Sequence, residues 1–174
     1  ELYDLNARSL APQPDAASCS CVVLHGVVRG VGGLLSEQQA RAYLETMVAC
    51  VDLPSLRESS LNGLLVSIRN LTKHHSVCCF NGLLKAYKCP HAPNVIKAVQ
   101  AVGSDSALAP VFVAHCLDTI LNTQLSEDRV IDEKTKKTAR DVSHVGTAAT
   151  CALGWTAQTA KGAEVVLGMR CAVI

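Results

Sequence analysis

The densest run of ligand-capable side chains in this sequence lies between residues 73 and 91. Lys73-His74-His75-Ser76-Val77-Cys78-Cys79 opens it and Cys89-Pro90-His91 closes it. Histidine and cysteine four residues apart share one face of a helix, so His74 and Cys78 could be joined by Cys89 and His91 from the following turn to form a Cys2His2 tetrahedron for zinc. The competing expectation puts Cys78 and Cys89 in an apolar core and leaves His74, His75 and His91 at helix ends or on the surface. The spacing is not that of a standard zinc module, which favours the second. Nucleophilic catalysis needs a cysteine or serine beside a histidine base and an orienting acid. His115-Cys116 with Asp118, and Cys19 or Cys21 with His25, supply the residue types, as chance would in a chain with nine cysteines and six histidines. Adjacent helical residues point about 100° apart, so His115 and Cys116 do not readily face each other. Gly30-Val31-Gly32-Gly33 lacks both the Lys-Ser/Thr of a phosphate loop and the full dinucleotide-binding spacing, and its simplest reading is a helix end. Cys171-Ala172-Val173-Ile174 has the form of a prenylation signal, but the residues before it are apolar and carry only Arg170. The expected function is a non-enzymatic helical interaction or assembly subunit without a cofactor. A zinc- or thiol-dependent enzyme using the His74–His91 cluster is the alternative.

The elements that would hold these residues are helices. Apolar residues make up 49% of the 174, aromatic residues only 3%, so the core must be built from Leu, Val, Ile and Ala, which suits packed helices better than an aromatic-rich sandwich. Ser36-Glu37-Gln38-Gln39 has capping-box spacing, and Ala40, Tyr43, Leu44, Met47, Val48 and Val51 then fall on one helical stripe. Asp52-Leu53-Pro54 breaks that helix. Ser55-Leu56-Arg57-Glu58 repeats the box ahead of a stripe of Leu61, Leu64, Leu65, Ile68 and Leu71. Further helices are expected over 76–88, over 94–102, and from Leu108 with Val111, Phe112, Cys116, Ile120 and Leu121 inward. Another is expected after a cap at Ser126-Glu127-Asp128. Residues 19–35 fit either a strand or a helix, and the helical text that follows tips the balance to helix.

One phrase occurs twice, Leu61-Asn62-Gly63-Leu64-Leu65 and Phe80-Asn81-Gly82-Leu83-Leu84. With paired helices and Pro- or Gly-marked turns, this resembles helical-repeat proteins of the HEAT or armadillo type from about Ser36 to Leu125. The fold expected is therefore all-α, a single-domain multi-helix bundle or a short helical-repeat-like array of antiparallel helices. An extended arm over residues 1–18 precedes one domain over 19–174. After Val142 the composition turns to Ala, Thr and Gly, and Gly146, Gly154 and Gly162 recur every eight residues. A small-residue face lets another backbone approach closely, so Gly146, Gly154, Trp155 and Gly162 are the candidate partner-binding residues, with packing on the chain's own helices as the alternative. The partners expected are other protein chains, in a homo- or hetero-oligomer. A net charge of +1 gives no electrostatic case for nucleic acid, and no apolar run reaches the length of a membrane span. The odd cysteine count and irregular spacing argue for reduced thiols inside the cell, in the cytoplasm or an organelle interior.

Overall fold

The computed structural model describes residues 16–51, 56–86, 93–127 and 133–171. Eight α-helices and one short 3-10 turn, with no strand, are found among the described residues. They are α1 (Ala16–Val31), the 3-10 turn (Gly32–Leu34), α2 (Glu37–Cys50), α3 (Glu58–His74), α4 (Ser76–Ala86), α5 (Pro93–Gly103), α6 (Leu108–Glu127), α7 (Glu133–Thr156) and α8 (Ala160–Cys171). The ambiguous N-terminal segment is helical. Of the arm expected over residues 1–18, residues 16–18 belong to α1 and the rest lie outside the described residues.

Local chemistry explains where the helices begin. Ser36 caps α2 as a complete capping box: its Oγ accepts from the Gln39 N–H, and the Gln39 Oε1 accepts from the Ser36 N–H at 2.9 Å. Ser55, the capping residue of the second box, lies outside the described residues. Arg57 is extended and stands as the N-cap of α3 without a side-chain cap, so the helix starts at Glu58, while Leu56 packs against the core. At the next junction Asp105 does the capping, its Oδ1 accepting from the Ala107 and Leu108 N–H groups. Ser126 and Glu127, expected to cap a new helix, are the last residues of α6.

The packing order defines the architecture. Helices pack on the one after next, α1 on α3, α3 on α5 and α5 on α7 in one layer, and α2 on α4, α4 on α6 and α6 on α8 in the other, while α2–α5 and α4–α7 contacts tie the layers together. His25 meets Ser67 and Gly32 meets His75, so α1 and α3 run parallel. Glu37 meets Cys78 and Leu44 meets Gly82, so α2 and α4 do as well. The helix pairs begin at residues 16, 58, 93 and 133, a repeat of roughly 40 residues. This is a helical repeat array.

One core runs between the layers. Leu44, Met47, Leu64, Ile68, Leu71, Phe80, Leu83, Val99, Val102 and Phe112 are fully buried in it, and α7 contributes Ala148, Ala149 and Ala152. Phe80 and Phe112 meet at 4.9 Å between ring centroids with planes tilted 50°, a geometry worth about 1 kcal/mol beyond the area it buries. The stripe expected on α6 is rotated. Leu108, Ala109, Phe112, Val113 and Cys116 are buried, whereas Val111 is 50% and Leu121 57% exposed. Helix α6 is flanked by α3, α4, α5, α7 and α8, and Ala109 and Val113 are buried among them.

Candidate interaction surface

The structure settles part of the ligand-rich segment. A single residue, His75, separates α3 from α4, and its Nε2 lies 2.8 Å from the Gly32 carbonyl. A carbonyl only accepts, so the proton sits on Nε2. His74 packs over Gly33, where an added Cβ would come within 3.2 Å of Nδ1. Cys78 donates its thiol to the Glu37 carbonyl at 3.3 Å. His74 and Cys78 are thus both turned toward the junction of α1 and α2, on separate partners. Cys89 and His91 lie outside the described residues, and no cluster of three or more His, Cys, Asp or Glu able to hold a metal is found among the described ones.

The nucleophile candidates are arranged for structure. His25 Nδ1 stands 2.7 Å from Ser67 Oγ, and Ser67 donates to the Gly63 carbonyl at 2.7 Å. With the serine proton so engaged, His25 is the donor, the reverse of what activating Ser67 requires. Cys21 is buried beside it. His115 and Cys116 point apart: His115 Nε2 donates to Asn81 Oδ1 at 3.1 Å with its ring 5.4 Å from Phe80, while Cys116 enters the core. Burial holds the imidazole below its ordinary range, against an opposing pull from Asp118. Burial pushes the Cys116 thiol up to about 12. It does the same to Cys79, also to about 12, despite a hydrogen bond between its thiol and Thr72. At pH 7 roughly one such thiol in 10^5 is ionised, too few for a nucleophile.

The four small-face residues separate into two kinds. A Cβ on Gly146 would stand 2.7, 2.9 and 3.0 Å from Cγ2, Oγ1 and Cβ of Thr123, so α6 and α7 touch there. At Gly162 an added Cβ would run into the Thr156 carbonyl. Both glycines are therefore covered by the chain itself. The small-residue run is not one helix, because it breaks at residues 157–159, where Thr159 Oγ accepts from the Gly162 N–H at 3.0 Å and restarts the chain as α8. Trp155 is half-buried against the core. Gly154 is exposed with nothing within 4 Å of an added Cβ, and Thr147 and Thr150 share its open, uncharged face.

Sequence reasoning did not find the groove between α2 and α4. About 500 Å3 in volume, it is lined by Val48, Ala49, Gly82, Ala86 and Val95, with Arg41, Glu45 and Lys85 among its walls. Arg41 and Glu45 form an i,i+4 ion pair at 3.1 Å. Gly82 lets the two helices approach closely beside the groove, since an added Cβ there would stand 2.7 Å from Leu44 Cδ2. The only sequence signal was Gly82 within the repeated Asn-Gly-Leu-Leu phrase. Its counterpart Gly63 has open space around it, so the phrase repeats without repeating its environment.

A two-layer, all-α array of helix pairs is the class this geometry defines. Among curated proteins the sequence is similar to Maestro heat-like repeat-containing protein family member 1 of Dictyostelium discoideum, at 29% identity over 147 residues. The match covers 84% of this chain and 9% of that protein, so the chain spans about a tenth of the relative's length. No protein-family model and no solved structure matches the sequence at a significant level. No described helix is long and apolar enough to cross a membrane.

Proposed function

We propose that the chain is a non-enzymatic interaction unit that other protein chains bind as part of a larger assembly. The observation that carries this is the ladder itself, in which helices pack on the one after next and leave a groove open between α2 and α4. Stacked helix pairs present such surfaces as binding faces, because neighbouring repeats fix the backbone while the outward residues are free to suit a partner. The similarity to a protein named for HEAT-like repeats supports the same reading. Two sites are proposed for contact: the α2–α4 groove, and the open face of α7 at Gly154 with Trp155 at its edge. We also propose a reducing compartment, on the odd count and irregular spacing of the nine cysteines and on the free thiols of Cys50, Cys78, Cys79 and Cys116.

Two substitutions test the reading. Ala49 is exposed on the groove wall and Gly154 is open, so Ala49→Arg and Gly154→Leu each fill a site without entering the core. Proteins captured on the wild-type chain are identified, and each is remeasured against both variants after circular dichroism has shown the fold intact. Loss of a partner by at least tenfold with either variant supports the proposal. Equal binding by wild type and both variants refutes it.

A further inference from the structure

The first helix pair has described neighbours on one flank only. Helix α1 packs on α2 and α3, and beyond α1 itself α2 packs on α3, α4 and α5, all later in the chain. On its other flank α1 shows Val23, Gly30 and Val31, within about 100° of helix arc, and none is charged. Val23 is 64% and Val31 42% exposed, and Leu34 in the adjoining 3-10 turn is 86% exposed. Beside them lies a groove of about 250 Å3 between α1 and α2, lined by Leu24, Ala42, Tyr43 and Thr46, again without a charge. Elsewhere in the array the same kind of flank is covered: α3 covers α1, α4 covers α2, and α5 covers α3.

An apolar flank of this shape, with a groove between its two helices, is what one helix pair offers to the next. We propose that it is a stacking seam, and that a further helix pair of a longer form of the same polypeptide lies on it as α3 and α4 lie on the opposite flank. Two observations choose this occupant. The seam continues an interface already repeated along the chain, and the related protein is about eleven times longer than the stretch matched, so in that protein the matched stretch adjoins further chain. Gly30 suits the role because nothing lies within 4 Å of an added Cβ, which leaves room for a second helix to approach at close range. The inference rests on the repeat architecture and is independent of the partner sites proposed above.

Hydroxyl-radical footprinting tests it, with the endogenous polypeptide from source cells compared against the recombinant 174-residue chain. Val111, on the outer face of α6, serves as the internal reference. The expected result is an endogenous polypeptide heavier than 18.4 kDa in which Val23, Val31 and Leu34 are labelled at least threefold more slowly than in the recombinant chain. Equal labelling overturns the seam, and so does an endogenous mass of 18.4 kDa. Protection that appears in the recombinant chain alone and grows with its concentration assigns the face to a second copy, which overturns the occupant proposed here. The Ala49→Arg and Gly154→Leu measurements do not touch this flank, so the two proposals fail separately.

Discussion

Replacing glycine by alanine at residues 146 and 154, eight positions apart on α7, should change stability in opposite directions. Both are helical glycines, and alanine at either gains about 0.5–1 kcal/mol from its better helix propensity. At Gly154 nothing opposes that gain, because the added methyl meets open space. At Gly146 the methyl meets three atoms of Thr123 at 2.7 to 3.0 Å. Thr123 cannot easily turn aside, since its hydroxyl donates to the Thr119 carbonyl at 2.7 Å and holds the rotamer. Overpacking of this kind costs about 1–3 kcal/mol, so the net effect at Gly146 is a loss of about 1–2 kcal/mol. For a chain of this length each kcal/mol moves Tm by about 2–4 °C. Thermal unfolding followed at 222 nm should therefore show Gly154→Ala rising by about 1–4 °C and Gly146→Ala falling by about 2–8 °C. A fall at both positions would mean that Gly154 is covered after all, and a rise at both that α6 and α7 do not touch at Thr123. Either result refutes the packing described for α7.

Asp105 joins a cap to a bridge between helix pairs, and the two functions should separate by substitution and by pH. Its Oδ2 receives the Lys73 ammonium at 2.8 Å. Burial works against the charge, but the Lys73 contact and the Ala107 and Leu108 N–H groups outweigh it and hold the carboxyl below its ordinary value. Stability from this group is complete above about pH 4, the unfolded-state range, and is lost as pH falls through the lowered folded value. Asp105→Ala should cost about 1–2 kcal/mol in urea titration at pH 7, and Asp105→Asn less because it keeps a capping oxygen. The gap between wild type and Asp105→Asn should close in acid, and one that widened there would contradict the assignment. Ser36→Ala should cost about 1 kcal/mol by the same assay, because it removes the α2 capping box; no change would show that the box is decorative. Thr156 is fully buried and its Oγ1 has no hydrogen-bond partner among the described residues, so Thr156→Val should leave stability equal or raise it by up to about 2 kcal/mol, and a clear loss would reveal a partner. Thiol titration of the folded chain should leave Cys79 and Cys116 unreacted until denaturant is added, and prompt labelling of either would place it outside the core.

The parts of the fold that were legible in the sequence are those decided within one or two helical turns. Ser36 and Gln39 satisfy each other's backbone donors three residues apart, and the Leu44, Met47, Val48 and Val51 stripe needs only its own period to show which side is inward. Features decided by a neighbouring helix were not legible. Val111 and Val113 stand about 100° to either side of Phe112 on α6, and it is the packing of the neighbouring helices that buries Val113 and leaves Val111 exposed. The eight-residue glycine spacing misled for a geometric reason. Eight residues turn a helix by about 80° beyond two full revolutions, so Gly146 and Gly154 face different surroundings even on the unbroken part of α7. One is then free to receive Thr123 while the other stays open. A small residue on a helix records that something was allowed to come close, and the sequence does not say whether that something is the same chain. On α7 the threonines decide it: Thr123 occupies the space above Gly146, Thr156 fills the space between Gly103 and Gly162, and no described atom reaches the place above Gly154.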